Sequence, residues 1–363
     1  MMKQILIIAV LGLVASANFY EQLQSELKDI KSQHVLKELL GELKALIATP
    51  AKKVLKPSGI PHYVHVAFAG FKAKFNRVYE GTEHQYRLKI FYDNLKFIEE
   101  FYRGPKKSYT IGITAFADMT HEEFKEEYVG GLRVPANHER KVTILPELTK
   151  EQVAAGVDWR TKGIVNPVKN QEQCGSCWAF SAVAAMEGAY AQKTGTLKSF
   201  SEQQLVDCSK SFGNHGCQGG LMDFAFKYAE TNKMEQESDY RYTARNGICS
   251  YKAAEGVFNT ASYTDVAHNS PSQLQSASSL GVVSIAIEAD KQVFQHYTGG
   301  VINSPDCGTH LDHGVAVVGF TSDSFIVRNS WGPSWGDRGY VQISNSASNI
   351  CGVLSAPSFP KLA

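Results

Sequence analysis

The chain has 363 residues, with 37 Lys and Arg against 36 Asp and Glu. A net charge of +1 gives the whole chain no electrostatic attraction for nucleic acid or an anionic membrane surface. With 43% of its residues hydrophobic and 20% charged, it is neither a disordered nor a fibrous sequence, and its length allows more than one domain.

In chain order, residues 1–17 read MMKQILIIAVLGLVASA: Lys3, an apolar run from Ile5 to Val14, and the small residues Ala15-Ser16-Ala17. This is the pattern of a secretory signal peptide, with an uncleaved anchor as the alternative. No later run of about 18 apolar residues follows, so no stable membrane insertion is expected. The expected destination is the secretory pathway, leading to a lysosome-like acidic compartment or to the outside. Residues 18–60 form an amphipathic extension. Leu23, Leu27, Ile30, Leu36, Leu40, Leu43 and Ile47 recur at helical spacing, and Thr49-Pro50 closes the run. Such a helix would sort, dimerise or touch a membrane surface, or simply pack on the segment after it. Within residues 61–152, one helix is expected over about 63–79 and another over about 82–102. Thr82 is the expected N-cap of the second, with an apolar stripe of Tyr86, Ile90, Phe91, Leu95 and Ile98 and a stop at Arg103-Gly104-Pro105. Residues 132–151 are polar and weakly periodic, and read as an exposed linker and cleavage region.

Residues 1–152 carry 22 basic against 18 acidic side chains, a net +4, and residues 153–363 carry 15 against 18, a net −3. Opposite signs favour association of the two parts. All seven cysteines, Cys174, Cys177, Cys208, Cys217, Cys249, Cys307 and Cys351, lie in the second part. In an oxidising compartment they pair, and an odd number leaves one thiol over.

Cys174 and Cys177 sit three apart. A tetrahedral metal site needs two further ligands, and only His310 and His313 offer a comparably tight spacing, so no metal is expected. A redox pair belongs beside a βαβ pattern, whereas the polar residues before Cys174 read as a loop. The third reading makes Cys174 a structural half-cystine and Cys177 a nucleophile. Ser176 would cap a helix over residues 177–192, ending near Lys193 and Gly195. First-turn N–H groups and the helix dipole would favour a thiolate. Further helices are expected over 201–208 and 219–231. Strands are expected over 282–287, 314–320, 324–327 and 340–343. Helices before strands give an α+β arrangement of two lobes with a cleft between them. For a partner histidine, His215 lies in a Gly-rich loop, His268 in a polar stretch and His296 on a helix. His313 instead starts an apolar run whose hairpin return brings Asn329 back beside it. An amide there can accept the imidazole N–H and orient the ring. A lone histidine at a strand start is ordinarily a core residue, and the company of Cys177 and Asn329 outweighs that reading.

With His313 136 residues and Asn329 152 residues beyond Cys177 in Cys174-Gly175-Ser176-Cys177-Trp178, the sequence resembles the papain-like cysteine peptidases, and among them the cathepsin L type. Val157-Asp158-Trp159-Arg160, Pro167-Val168-Lys169-Asn170-Gln171, Gly216-Cys217-Gln218-Gly219-Gly220, Asn329-Ser330-Trp331-Gly332 and Trp335-Gly336 carry the same resemblance. It implies a two-lobed fold, a helical lobe and a β-barrel-like lobe, behind a mainly helical propeptide. It implies Cys177 as nucleophile, His313 as its base and later acid, Asn329 as the orienting group, and Gln171 with the Cys177 N–H as oxyanion hole. Trp331 would shield the His313–Asn329 contact. Six cysteines allow 15 pairings, and the resemblance implies Cys174–Cys217, Cys208–Cys249 and Cys307–Cys351. Gly220 would bind a substrate backbone. Leu221, Met222, Ala286, Leu311, Gly314 and Ala356 would line the pocket for the residue one before the scissile one, giving a Leu- or Phe-like preference. Asp312, Trp331 and Trp335 complete the substrate-binding set.

No cofactor is implied. The expected partners are protein and peptide substrates, the chain's own propeptide as inhibitor, and cystatin-like inhibitors, with the enzyme a monomer. Glu83, Arg87, Phe91, Asn94 and Ile98 match the family's propeptide pattern, as do Gly112, Phe116 and Asp118. Tyr102 and Thr114 stand where that pattern has Asn, and Glu172 stands where relatives carry Gly. The chain is thus divided into a signal peptide (1–17), an extension (18–60), an inhibitory propeptide (61–152) and a peptidase domain (153–363). A peptidase-like fold used only for binding would be expected to lack Cys177, His313 or Gln171, and all three are present.

Overall fold

The computed structural model describes residues 59–135 and 138–363, so the signal-peptide and extension assignments lie outside the described residues. These form two units, residues up to Lys106 with Ala115–Thr120, and Lys107–Thr114 with His121–Ala363.

In the first unit, α1 (His62–Phe75) and α2 (Gly81–Arg103) bury Val64, Phe68, Phe71, Leu88, Phe91 and Leu95. The Phe91 ring centroid lies 5.2 Å from those of Phe68 and Phe71, a spacing at which aromatic pairs attract. Thr82 is not the cap of α2. Glu80 takes that position without a side-chain bond, because the helix starts two residues earlier, at Gly81. Tyr86 is 50% exposed, and Leu88 takes the buried place expected of it. Asn94 is buried and donates to Ala117 O and Met119 O, both at 2.9 Å. That side chain holds the returning segment, whose Asp118 is ringed by Tyr79, Arg77 and the backbone contact of Arg87.

The second unit opens with β1 (Tyr109–Ile111), α3 (His121–Tyr128), β2 (Val142–Thr143), α4 (Lys150–Ala155) and β3 (Val157–Asp158). The expected linker over 132–151 is therefore pinned at several points rather than free. β2 pairs with a sheet edge, and Thr149 and Gln152 close a capping box on α4. Next come α5 (Cys177–Thr194), α6 (Glu202–Cys208) and α7 (Met222–Thr231). Helix α5 is buried on every side, with Trp178, Ala182, Ala185 and Met186 fully enclosed, as expected of a core helix without a polar face. Ser176 precedes it but makes no capping bond; its hydroxyl meets Tyr242 Oη at 2.7 Å instead. Gly195 ends it at φ +70°, where a residue without Cβ is favoured.

Then follow β4 (Thr260–Val266), α8 (Pro271–Leu280), β5 (Val283–Ile287), α9 (Gln292–Gln295), β6 (Tyr297–Ile302), β7 (His313–Phe320), β8 (Ser324–Arg328), β9 (Tyr340–Ser344) and β10 (Ser358–Leu362). They form a mixed sheet ordered β1-β6-β9-β8-β7-β5-β10-β4-β2, with β3 also paired to β7. Helix α8 went unread because its Ser/Gln-rich run has almost no apolar stripe. Its signal is the Ser270 cap with Pro271 in the first turn. Ala182, Val183 and Met186 of α5 share one apolar core with Phe226 of α7, Ala286 of β5 and Ala316 and Val318 of β7. Two hydroxyls rivet helix to sheet: Ser181 Oγ donates to Val315 O at 2.6 Å and Ser284 Oγ to Ser181 O at 2.9 Å.

Asn94→Ala removes the buried bonds to Ala117 O and Met119 O. It should destabilise the first unit by about 2–3 kcal/mol, read as faster limited proteolysis within residues 59–106 of the intact chain. Proteolysis within residues 153–363 of the same chain should not change.

Candidate active site

Cys177 is the first residue of α5, and its sulfur accepts from Gly314 N at 3.3 Å. The β7–β8 hairpin brings His313, at the start of β7, against Asn329, just after β8. His313 Nε2 lies 2.8 Å from Asn329 Oδ1. That same oxygen accepts from Ser330 N at 2.7 Å, which fixes which way the amide points. Nε2 therefore carries the ring proton, and Nδ1, buried without a hydrogen-bond partner, keeps its lone pair. The Trp331 ring covers the pair, 4.7 Å from the His313 ring, and Trp335 holds Trp331 edge-on at 4.9 Å. Gln171 is fully buried. Its Oε1 accepts from Ser330 Oγ at 2.6 Å, and its Nε2 donates to Cys174 O at 3.1 Å. Of the other histidines, His215 begins a short turn, His268 lies in the turn after β4, and His296 ends α9.

A buried ion cluster, which the sequence reading did not foresee, ties these pieces to one helix. Lys169, two residues before Gln171, reaches Glu187 of α5 at 2.9 Å and Glu202 of α6 at 2.7 Å. Arg328, one residue before Asn329, meets the other Glu187 oxygen at 3.6 Å. The Gln171 loop and the Asn329 strand thus end on one carboxylate of the helix that begins with Cys177. Ser330 and Tyr242, which donates to Gln171 O at 2.7 Å, were also missed. Ser330 sits inside a motif whose other members drew the attention.

The chain's own residues 130–133 lie over the sulfur. Gly130 N and Leu132 N donate to Asp312 O at 3.0 and 3.3 Å, Gly220 N to Gly131 O at 3.1 Å, and Arg133 N to Gly220 O at 2.9 Å. A Cβ added to Gly131 would stand 2.9 Å from Cys177 Sγ and 2.6 Å from Gly175 O, so only glycine fits there. Leu132 enters the apolar cluster that holds Leu221, Met222 and Ala286, with Leu311 and Ala356 packed against it. Gly314 lies at the back of this region, close to Trp178 N.

The expectation of an easily ionised thiol is overturned for this covered state. Burial pushes the Cys177 thiol up to about 12, against the smaller help of the Gly314 N–H. Burial also drops His313 to about 4, although Asn329 pulls the other way. The helix dipole is worth about 1–2 kcal/mol at best, less than the cost of a charge without water. Asp312 is lifted to about 7, again by burial.

Cys174–Cys217, Cys208–Cys249 and Cys307–Cys351 are bonded, the pairs that the resemblance implies, and Cys177 is the free thiol. Glu172 adopts φ +53°, in the left-handed region, where a side chain costs about 1 kcal/mol relative to glycine. Among the described residues no cluster of side chains could hold a metal ion, and no helix is long and apolar enough to cross a membrane.

Comparison with known proteins is consistent along most of the chain. Residues 153–361 match the family described as papain family cysteine protease, and residues 68–124 match the cathepsin propeptide inhibitor domain. The chain is 42% identical to cathepsin L2 of Homo sapiens, over 80% of this chain and 91% of that protein. It is 40% identical to procathepsin L of Rattus norvegicus, over 80% and 90%. Among solved structures, a digestive procathepsin L2 proteinase from Tenebrio molitor superposes with TM-score 0.74 at 36% identity, covering 82% of this chain and all of that one. The stem bromelain precursor gives 0.73 at 34%, over 82% and 99%.

In the intact chain at neutral pH, alkylation of Cys177 by iodoacetamide should be slow. Its rate should climb about tenfold per pH unit from pH 7 to pH 10 without levelling, as a thiol titrating near 12 requires. The activated enzyme should react at least 100-fold faster at pH 7 and show a plateau. A plateau below pH 10 in the intact chain would contradict the neutral, covered thiol.

Proposed function

The chain belongs to the papain family of cysteine proteases and is a cysteine endopeptidase made as a zymogen, and we propose that Cys177, His313, Asn329 and Gln171 are its catalytic group. Once residues 130–133 leave, His313 Nδ1 takes the Cys177 proton and the sulfur attacks the scissile carbonyl carbon. The developing oxyanion accepts from Gln171 Nε2 and Cys177 N, donors held in place before the reaction. As the tetrahedral species collapses, the C–N bond breaks and the His313 imidazolium gives its proton to the leaving amine. Water, deprotonated by the same nitrogen, then hydrolyses the thioester. Asn329 keeps the ring turned so that Nδ1 faces the sulfur throughout. The observation that carries this reading is the fixed tautomer of His313, which leaves Nδ1 with its lone pair, next in sequence to the Gly314 N that donates to the Cys177 sulfur.

The chain carries a cathepsin propeptide inhibitor domain over residues 68–124, and residues 130–133 are proposed as its blocking segment, whose backbone bonding accounts for its escaping cleavage. Gly131 O is spent on Gly220 N instead of lying between the oxyanion donors, so the carbonyl over the sulfur is not polarised for attack. Removal of the propeptide is proposed to fall within residues 145–155, ahead of a peptidase domain beginning near residue 153. The activated enzyme is proposed to act as a monomer, open to cystatin-like inhibitors, in an acidic lysosome-like compartment or after secretion.

The pocket formed by Leu221, Met222, Ala286, Leu311 and Ala356 offers no carboxylate, so it favours Leu or Phe over Arg at the residue before the scissile one. In a fluorogenic dipeptide series the Leu and Phe members should exceed Arg by at least tenfold in kcat/KM, and Cys177→Ala should abolish all of them. An Arg substrate that won, or turnover surviving in the Ala variant, would sink the reading.

Acid activation follows from the neutral ring. His313 is depressed to about 4 when covered, so the covered form takes up fewer protons than one with the ring in water. Its stability advantage therefore falls as pH drops from about 6.5 towards 4. Asp312, raised when covered, works in the opposite sense wherever release returns it to water. The Lys125–Asp290 bridge is no trigger: despite burial, Lys125 and Lys291 hold Asp290 below its ordinary value, so that carboxylate keeps its charge to lower pH still. Self-processing of the purified zymogen should accelerate through pH 6.5 to 4.5, and equal rates at pH 7 and pH 4.5 would refute this.

A further inference from the structure

The pro segment leaves the cleft and then places one arginine in a socket built entirely of peptidase-domain atoms. Arg140 Nε donates to Asp265 Oδ1 at 3.4 Å, Nη1 to Ser355 O at 3.1 Å, and Nη2 to both Val266 O at 3.0 Å and Pro357 O at 2.9 Å. Four of the five guanidinium N–H groups are thereby used, in the planar fork that an ammonium group cannot copy. Asp265 is 1% exposed with the arginine in place. Burial and the neighbouring Asp223 carboxylate push its pKa up, opposed by the Lys141 N–H and Arg140. This is therefore an acceptor site that discriminates strongly against standing empty. Three carbonyls and a carboxylate converge there.

The backbone beside it is equally receptive. Val142 and Thr143 pair in parallel with Asp265 and Val266, and among the described residues no other strand covers that side of β4, which is next to last in the sheet order. Asp265 N donates to Lys141 O at 3.1 Å. Beyond the strand, Leu145 N donates to Gln273 Oε1 at 2.8 Å, and Gln273 Nε2 returns a bond to Leu145 O at 2.9 Å. When activation removes the pro segment, β4 becomes a bare sheet edge with an arginine socket at one end. An exposed edge pairs with any suitable extended chain.

We propose that this edge and socket are a peptide-binding exosite of the activated enzyme, selective for an extended segment carrying arginine, with residues 138–145 as its resident ligand in the zymogen. Main-chain pairing along β4 would supply affinity and the guanidinium would supply selectivity, the usual division in strand addition. Six residues, 134–139, lie between Arg133, whose N donates to Gly220 O, and Arg140, so the socket is filled by a different stretch from the one over Cys177. The inference does not depend on which residues do the chemistry.

The test is binding of a synthetic peptide of residues 138–145, labelled for fluorescence anisotropy, to activated enzyme whose Cys177 has been carbamidomethylated. That small cap lies at the thiol, which this peptide does not reach. Saturable binding is expected. The Arg140→Ala peptide should bind at least tenfold more weakly and the Arg140→Lys peptide nearly as weakly, since hydrogen bonds to charged groups are the strong ones. On an Asp265→Asn enzyme the Arg and Ala peptides should bind within threefold of each other. Absence of saturable binding by the native peptide would overturn the proposal, and so would equal binding of the Arg, Lys and Ala peptides to the capped enzyme with Asp265 intact. The peptide comparison needs no enzyme variant, so it stands even if Asp265→Asn fails to fold. A failed dipeptide profile with intact peptide binding would count against the catalytic reading alone.

Discussion

The docking of the first turn of α5 against the first residues of β7 is the contact on which the site depends. It can be this close because residue 314 is glycine: a Cβ there would stand 3.2 Å from both Trp178 N and Trp178 Cα, tighter than packed side chains normally sit. The close approach lets Gly314 N reach the Cys177 sulfur and puts the preceding residue, His313, at the same level as the thiol. A helix end and a strand start are rigid elements, so Cys177 and His313, the proposed nucleophile and base, are positioned by backbone packing rather than by loops. The Glu187 cluster adds a second tie, since both Lys169 and Arg328 end on it. Buried charges held this way contribute little net stability, and removing one partner is costly. Their effect here is to keep three chain segments in register.

Against that scaffold the zymogen inhibits by solvation as well as by obstruction. Gly131 stands over a buried thiol, and the proposed mechanism needs that thiol and the His313 imidazole as a pair of charges. In the dry site the neutral pair is favoured, and the helix dipole is too weak to reverse it. The cover therefore changes the protonation of the groups it hides, in addition to blocking access to them.

Much of this was legible in the residues. The Cys177 and His313 pairing, the return of Asn329 along a hairpin and the helix after Ser176 all follow from local spacing and strand periodicity. What was not legible depends on distant groups. Ser176 looks like a capping residue, and only the fold brings Tyr242 to take its hydroxyl. Tyr86 fits the apolar stripe of α2, but the hydrophobic face turns to favour Leu88. Helix α8 has capping residues and no stripe, so a reading that starts from periodicity passes over it. The thiol's protonation state could not be read at all, because it depends on which segment lies over it. Glu172 is the opposite case: the departure from glycine was visible in the sequence, and its φ of +53° shows what glycine would relieve there.

The Cys174–Cys217 bridge has a consequence for the conditions in which the enzyme can work. It fastens the loop before Cys177 to the turn that leads to Gly220, and Gly175 N donates to Cys217 O at 3.0 Å alongside it. Two sulfurs three residues apart must then stay in opposite oxidation states, one bridged and one free. Cys174 is only 2% exposed and Cys217 is half-buried, so a soluble reductant that keeps Cys177 as a thiol meets the bridge from the Cys217 side. The milieu that suits the proposed nucleophile is thus bounded above by the one that would unfasten the Gly220 turn.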